Sequence, residues 1–587
     1  MPQTAVSQCL GGKMTGGRAL AEMLKLCGVG PMFGMGGFQM LPLYEGIRTL
    51  GMEHYLITDE NNGALAADAY ARMTGRPAVC DGTTGPGAAN LATGLIESLN
   101  AGVPLIAITG DTHRAHSWKN MTQEARQLEL LRPCVKELIR IEMVSRIPEF
   151  VRRAFLVATS GRPGPVLLDL PEDVMHGEHE FAPEDFYVNE RILSAPSIRF
   201  RPSADAVEAA AEMLAKARRP LILAGGGVHL SQAQQALNDF AEEFSIPVAY
   251  TMSGKGSVAD TAEISVGLFG RYSRIANDLM GESDCLFVVG CKLGEIASKR
   301  YEFPKAGSTL IHLDIIPEEI ERWAKVNVAL CGDARETLQD LAPTVRKRTG
   351  GSVSRPEYFE EIKQRKAAWY EVARARYESS ESPINMGRMM AELNSFMPED
   401  GVLIVDGGFA AHWGALLYNT KTAGRTFVAN RGFASIGYGI PAAIGVSLAS
   451  KYGGPKGPVV SITGDGGLNM SIGELDTAMR AKTPFILLVV NNAASGYVRA
   501  LQHAFYGEGH YQSSAITETD FAAVARSYGC YGIRVEKPKD LQAALRSAAG
   551  NTDKPTIIDV VVTRDPGQML PAADNRALTI KEGDRPV

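Results

Sequence analysis

Short unbroken apolar runs alternate with segments whose apolar positions recur every three or four residues, and this alternation extends through most of the 587 residues. GRALAEMLKLCGV reads as a helix, PMFGM as a strand, NGALAADAYARMTG as a helix and RPAVCDG as a strand. Unbroken apolar runs suit strands buried on both faces, and the periodic segments suit helices that cover them. The expected fold class is therefore α/β, with three doubly wound parallel-sheet domains at 14–180, 204–348 and 384–570.

The first domain is expected to close after GPVLLDLPEDV, and the weakly periodic, proline-containing stretch near 180–203 reads as a linker. IPVAY, DCLFVVG and TLIHLDI supply strands for the second domain, while VLIVDGG, VVSITGDGG and PFILLVVNN supply them for the third. Between these two lies SRPEYFEEIKQRKAAWYEVARARYESS, a polar helical connector whose charge run reads as a solvated face. Three domains sharing one alternation hint at duplication, although no short repeat is visible.

Composition narrows the function classes. Hydrophobic residues make up 45% of the chain and charged residues 21%, enough apolar content for large cores. A net charge of -6 with no basic cluster argues against nucleic acid or an anionic membrane as the main partner. The amino terminus lacks a charged segment followed by an apolar one, and no apolar run approaches a membrane-spanning length, so a cytoplasmic soluble protein is expected. Eight scattered cysteines (9, 27, 80, 134, 285, 291, 331 and 530) show no metal-like spacing and are expected to be reduced and mostly buried.

Candidate chemistry concentrates in GDGGLNMSIGELDTAMRAKTPFILLVVNN, residues 464–492. A right-handed crossover between parallel strands brings their carboxyl ends to one sheet edge, where ligands of open α/β sheets bind. Asp465 and Asn492 can then face one ion. Mg²⁺ takes hard oxygen ligands and shares its shell with phosphate, while Gly464, Gly466 and Gly467 let the backbone approach a diphosphate. A Gly-Asp-Gly turn or an Asn-Asn strand end is common alone, but the pair at this spacing resembles the signature of thiamin diphosphate enzymes.

DENNGALAADAYARMTGRPAVCDGTTGPGAANLATG, residues 59–94, is similar to the pyrimidine-binding segment of the acetolactate synthase family. The resemblance makes the three domains pyrimidine-binding, middle and diphosphate-binding in chain order. Glu60 falls on the glutamate that hydrogen-bonds the aminopyrimidine ring and promotes removal of the C2 proton, with Asp68 eight residues on. Asp59 stands where the family usually has His. Gln123, in QEARQLELLRPCVK, aligns with a glutamine lining the substrate side, and Arg132, Pro133 and Lys136 keep their spacing from it. His113 and His116 match no family residue and read equally as surface histidines or proton-transfer groups.

In VANRGFASIGYGIPAAIGVSLA, Ile436 takes the place of the large aliphatic residue that bends the cofactor into a V. Gly408 aligns with a glycine whose carbonyl accepts a hydrogen bond from the aminopyrimidine. The implied metal shell is the Asp465 carboxylate, the Asn492 amide oxygen and the Ala494 carbonyl, with Gly496 and Tyr497 also beside the cofactor. Glu60, Gln123 and Gln39 are the catalytic candidates.

Substrate-side positions depart from the family. Leu501 replaces a tryptophan that helps choose the acceptor, Phe38 and Gln39 stand in a loop usually built of small residues, and Phe409 and Ala410 replace polar residues near the diphosphate. Lys292, in GCKLGEIASKR, cannot reproduce a bidentate guanidinium, which counts against FAD, and AGGGV at 224–228 reads as a packing turn. The resemblance implies decarboxylation of a 2-oxo acid and transfer of the activated aldehyde to a second carbonyl. Local similarity to benzaldehyde lyase keeps open a 2-hydroxy-ketone (acyloin) lyase, and a noncatalytic thiamin diphosphate-binding regulator is the alternative of another class. A homodimer or homotetramer with active sites between subunits is also implied.

Overall fold

The computed structural model describes residues 4–6, 11–305 and 307–571. Three six-stranded sheets dominate, and within each sheet every neighbouring pair of strands is parallel. In the first, His54–Leu56, Met32–Met35, Ala78–Gly82, Leu105–Asp111, Pro165–Pro171 and Glu137–Arg140 lie side by side. The third repeats that arrangement with Phe427–Ala429, Val402–Val405, Val459–Gly464, Ile486–Asn491, Thr556–Val561 and Tyr531–Val535. Numbered by chain order, both sheets run 2-1-3-4-6-5, whereas the middle sheet runs 3-2-1-4-5-6, the order typical of a dinucleotide-binding fold. A shared strand order in the first and third sheets agrees with the duplication hinted at by the alternation.

The chain groups into two compact units. One contains residues 1–198, 430–455 and 471–485; the other contains 199–429, 456–470 and 486–587. Two connections of the third sheet thus belong to the first unit, among them the helix Gly439–Ala449, buried on nearly every face by Ile440, Ala442, Ala443, Ile444, Val446 and Leu448. Its neighbour in that unit is the helix Glu60–Thr74, whose Ala64, Ala66 and Ala67 keep the surface low. A side chain at Gly445 would run into the Ala66 carbonyl, so the approach requires glycine.

Several local expectations are refined. The stretch near 180–203 is more ordered than a linker: Glu178–Phe181 pairs antiparallel with Gly12–Thr15, and Tyr187–Asn189 with Thr4–Val6. The connector forms one helix, Pro356–Tyr377, that buries Tyr358, Ile362, Trp369 and Ala373. Its charges are also partly paired, Arg219 donating to Glu361 at 2.8 Å. A charge run therefore concealed an apolar stripe. Cys27, Cys80, Cys134, Cys285, Cys291 and Cys530 are free and buried, Cys331 is free but exposed, and Cys9 lies outside the described residues. Among the described residues no helix is long and apolar enough to cross a membrane.

The helix contact at Gly445 yields a direct test. Gly445→Val should destabilise the protein by about 1–3 kcal/mol through overpacking, read as a lower urea midpoint with unchanged slope. An unaltered midpoint would show that the two helices can separate without cost.

Candidate active site

In the first unit, three of the expected residues gather on one turn, residues 83–87. Glu60 opens its helix, and Asp59 caps it by accepting the Asn61 N–H at 2.8 Å, so Asp59 serves the helix end. The Glu60 side chain is buried, and its Oε2 accepts a hydrogen bond from Asn90 Nδ2 at 2.9 Å. A Cβ at Gly87 would lie 2.8 Å from Glu60 Oε1, so glycine there leaves the carboxylate room.

Gln39 is buried and accepts from Thr83 Oγ1 at 3.4 Å. Gln123 is exposed, in the left-handed region at φ 65°, and its carbonyl lies against Gly85, itself at φ 74°. Thr84 Oγ1 is buried in the same turn with no hydrogen-bond partner, a polar atom left for a ligand or water to satisfy.

Gln127, which sequence reasoning did not single out, holds this turn in place. Its side chain accepts from Gly85 N at 2.9 Å and donates to the Gly110 carbonyl at 2.8 Å and to Asp169 at 2.6 Å. Burial, reinforced by Asp111, pushes the Asp169 carboxyl up to about 7. Lys136 is engaged elsewhere, its ammonium donating to the carbonyls of Val157, Ser160 and Arg162 and capping the end of the helix Ile147–Thr159. His113 and His116 stack on each other at 4.8 Å, and Phe38, 61% exposed, stacks on His176.

Ile436 belongs to the same unit and projects from its loop 40% exposed, unusual for a large aliphatic side chain. The loop is anchored by Glu97, whose buried carboxylate accepts the N–H groups of Gly432, Phe433 and Ala434 at 2.8, 2.6 and 3.1 Å. Ala434 sits at φ 60°, a conformation that residues other than glycine disfavour, and this anchoring holds it there.

Arg72 joins Glu97 at 2.9 Å to Asp68 at 2.6 Å, and Asp68 accepts the Tyr438 hydroxyl at 2.8 Å. Ile436 thus lies between two tethered stretches. Burial and the nearby Asp68 raise the Tyr438 hydroxyl well above the ordinary tyrosine range, so it remains a donor. Burial opposes the Arg72 charge, but Asp68, Tyr438 and Glu97 outweigh it.

In the second unit Asp465 and Asn492 stand at the ends of neighbouring strands. Asp465 follows the strand Val459–Gly464 and begins the helix Asp465–Ser471; its side chain is buried, and Oδ1 accepts Gly466 N–H at 2.8 Å. Ala493, at φ 53°, turns the chain after the neighbouring strand Ile486–Asn491. The Ala494 N–H then points to both Asp465 Oδ2, at 3.3 Å, and Asn492 Oδ1, at 3.2 Å. Two oxygens on neighbouring strand ends therefore converge on one point.

Burial pushes the Asp465 carboxyl up to about 6, against the pull of the amides of Gly466, Ala494, Ala493 and Asn492. A cation would relieve that burial. The available donors are one carboxylate, one amide oxygen and main-chain oxygen, and no cluster of three or more His, Cys, Asp or Glu side chains suited to a metal occurs among the described residues. This set fits Mg²⁺ sharing its shell with phosphate oxygens and does not fit an all-protein cage.

Asp406 is the residue that sequence reasoning passed over here, although VDGG at 405–408 repeats the form of GDGG at 464–467. It is fully buried, accepts Gly407 N–H and the Thr463 hydroxyl at 2.6 Å each, and forces position 467 to be glycine, where a Cβ would lie 2.5 Å from its Oδ2. Gly408 follows at φ 70° as the N-cap of the helix Phe409–Leu417. A Cβ at Gly464 would meet nothing within 4 Å, one at Gly466 would approach Ile516 at 3.3 Å, and one at Gly496 would lie 2.7 Å from the Asn492 amide nitrogen. Tyr497 packs edge-on against Phe409 at 5.0 Å and accepts from Arg271 at 3.1 Å.

This fold, with a buried acid at a helix start and an aspartate–asparagine clamp on strand ends, defines a thiamin diphosphate enzyme. Three family models agree: the N-terminal TPP binding domain of thiamine pyrophosphate enzymes matches residues 14–130, the central domain 207–341 and the C-terminal TPP binding domain 406–560. The chain belongs to this family. It is 32% identical over 571 residues to a probable acetolactate synthase large subunit of Methanococcus aeolicus, covering 95% of this chain and 93% of that one. It is 31% identical over 550 residues to the acetolactate synthase isozyme 2 large subunit of Escherichia coli strain K12, covering 94% and 96%. A 31% match to an acetolactate synthase of Arthrospira platensis covers 94% and 95%.

The Ile436 tethers predict an order of effects. Glu97→Gln should cost about 3–5 kcal/mol, because it weakens a buried pair with Arg72 and turns an amide donor toward two other donors. Tyr438→Phe should cost less, about 1.5–3 kcal/mol, the value of one hydrogen bond to a charged group. If chemical unfolding places both variants at the same stability, Glu97 is not the anchor.

Proposed function

We propose that this protein is a thiamin diphosphate- and Mg²⁺-dependent enzyme that decarboxylates a 2-oxo acid and transfers the activated aldehyde to a second carbonyl compound. The observation carrying this reading is the convergence of Asp465 and Asn492 on the Ala494 amide, supported by the buried Glu60 and by relatives named acetolactate synthase. When bound, the cofactor supplies a nucleophilic carbon and the electron sink that the chemistry needs.

The chain's own residues bind, orient and move protons. Asp465, the Asn492 amide oxygen and the Ala494 carbonyl would hold Mg²⁺. Gly464, Gly466 and Gly467 give the diphosphate access to backbone N–H groups, as the N-terminus of a helix commonly does. Glu60, fixed through Oε2 by Asn90, would exchange a proton with the pyrimidine ring. The Gly408 carbonyl would orient the amino group of that ring, Ile436 would support the cofactor from its loop, and Gly496 and Tyr497 would line the diphosphate side. Gln39 and Gln123 face the substrate from the turn shared with Glu60.

The same reading takes 14–180, 204–348 and 384–570 as the pyrimidine-binding, middle and diphosphate-binding domains. It takes the assembly as a homodimer or homotetramer in the cytoplasm. Gly225 and Gly227 support a packing role for the glycine run in the middle domain: a Cβ at Gly225 would collide with the Gly290 carbonyl, and one at Gly227 would lie 2.7 Å from Gly290 Cα.

Carbon dioxide release from a panel of 2-oxo acids, with thiamin diphosphate and Mg²⁺ present, tests the activity. Cleavage of 2-hydroxy ketones without carbon dioxide release would favour a lyase instead. Glu60→Gln should lower turnover by about 10²–10⁴-fold while cofactor binding persists; full turnover in that variant would remove Glu60 from the proton path. Asp465→Ala should weaken Mg²⁺-dependent cofactor binding by about tenfold or more in calorimetry. Unchanged affinity there would refute the clamp.

A further inference from the structure

A cavity of 220 Å³, lined by none of Asp465, Asn492 and Ala494, opens within the second unit between the edge strand Ser265–Leu268 of the middle sheet and the helix Pro356–Tyr377. Gly267, at φ 86°, keeps its floor open, since a Cβ there would meet no atom within 4 Å. Val266, Ile275 and Trp369 make much of its wall apolar.

Two cations reach this apolar space. Arg274 donates through Nε to the Leu416 carbonyl at 2.7 Å, with its guanidinium carbon 5.1 Å from the Trp369 ring centroid. Its Nη2 is buried and has no hydrogen-bond partner. Lys366 lines the same cavity, and among the described residues it forms no ion pair.

The nearest acid, Asp260, attracts both cations, but its oxygens are taken up by other donors. Asp260 is bound to Lys255 at 2.6 Å, accepts from Thr420 N and Oγ1 at 2.9 and 3.0 Å, and also holds the Tyr250 hydroxyl. Asp260 and, less strongly, Glu263 act on Lys366 only through longer-range attraction, with no ion pair to either. A buried guanidinium nitrogen without an acceptor carries a cost that an anion would remove. Asn419, which also lines the cavity, has a buried Oδ1 that is equally unpartnered.

We infer that this cavity is a second ligand site, one that takes a small organic monocarboxylate with an apolar body and a hydroxyl group. The carboxylate meets Arg274 and Lys366, the apolar body lies against Trp369, and the hydroxyl donates to Asn419 Oδ1. A mostly apolar wall with only two cations disfavours inorganic phosphate, which needs more donors than Arg274 and Lys366 supply. The site does not depend on the catalytic reading of the clamp.

Titrating the full-length protein with mandelate, followed by tryptophan fluorescence and by calorimetry, tests the site. Saturable binding is expected, with the fluorescence change absent in Trp369→Phe. Affinity should fall about tenfold or more in Lys366→Met and in Arg274→Leu, and should persist in Glu60→Gln. Lys366 is only partly buried, so its variant tests the site even if Arg274→Leu fails to fold. Benzoate should bind more weakly than mandelate, because it lacks the hydroxyl. No saturable binding, binding undiminished in Lys366→Met, or phosphate binding as tight as mandelate would each overturn the proposal.

Discussion

Two buried carboxylates, Asp68 and Glu97, share the guanidinium of Arg72, and the placement of the exposed Ile436 depends on that sharing. An isolated buried carboxylate is costly, so each oxygen must find a donor. Glu97 finds three of them in the amides of residues 432–434, and Asp68 finds the hydroxyls of Tyr438 and Ser98. Satisfying the two acids therefore dictates the course of a loop, and the loop exposes an aliphatic side chain that would otherwise be buried. Preorganisation of this kind comes from polar satisfaction at a distance and not from the packing of Ile436 itself.

The other unit applies the same rule at the ends of parallel strands. Asp406 and Asp465 are both buried after neighbouring strands of one sheet, and both are met by amides of the turns that follow. They differ in what remains. Asp406 also receives the Thr463 hydroxyl, whereas Asp465 is held chiefly by backbone amides and keeps a raised proton affinity. One aspartate thus shapes the glycine turn, while the other keeps a carboxyl that burial leaves short of compensation.

Much of the candidate site was legible because it lies at points where the local pattern changes. Asp465 and Asn492 stand where apolar strands end, so strand prediction brought them together, whereas Glu60, at a helix start, was singled out by resemblance. Gln39 and Gln123 were found through resemblance, and the 83–87 turn accounts for their proximity to Glu60. Glu97, Gln127 and Asp406 were not found. Their partners include backbone amides, which every residue except proline possesses, and for Glu97 the nearest of these is 335 positions away. The apolar stripe of the connector was hidden for a related reason: four buried residues over about six turns are outnumbered by charges that pair among themselves.

By itself the sequence determined the alternation of strands and helices and the three parallel sheets, since each follows from periodicity within a few dozen residues. Only the tertiary structure decided which sheets share a strand order, which acids are buried, and that a cavity in the second unit leaves Arg274 Nη2 without a partner. Periodicity reports which face of an element avoids water. It does not report which distant donor a buried charge will meet, because that pairing is settled when the whole chain closes around it.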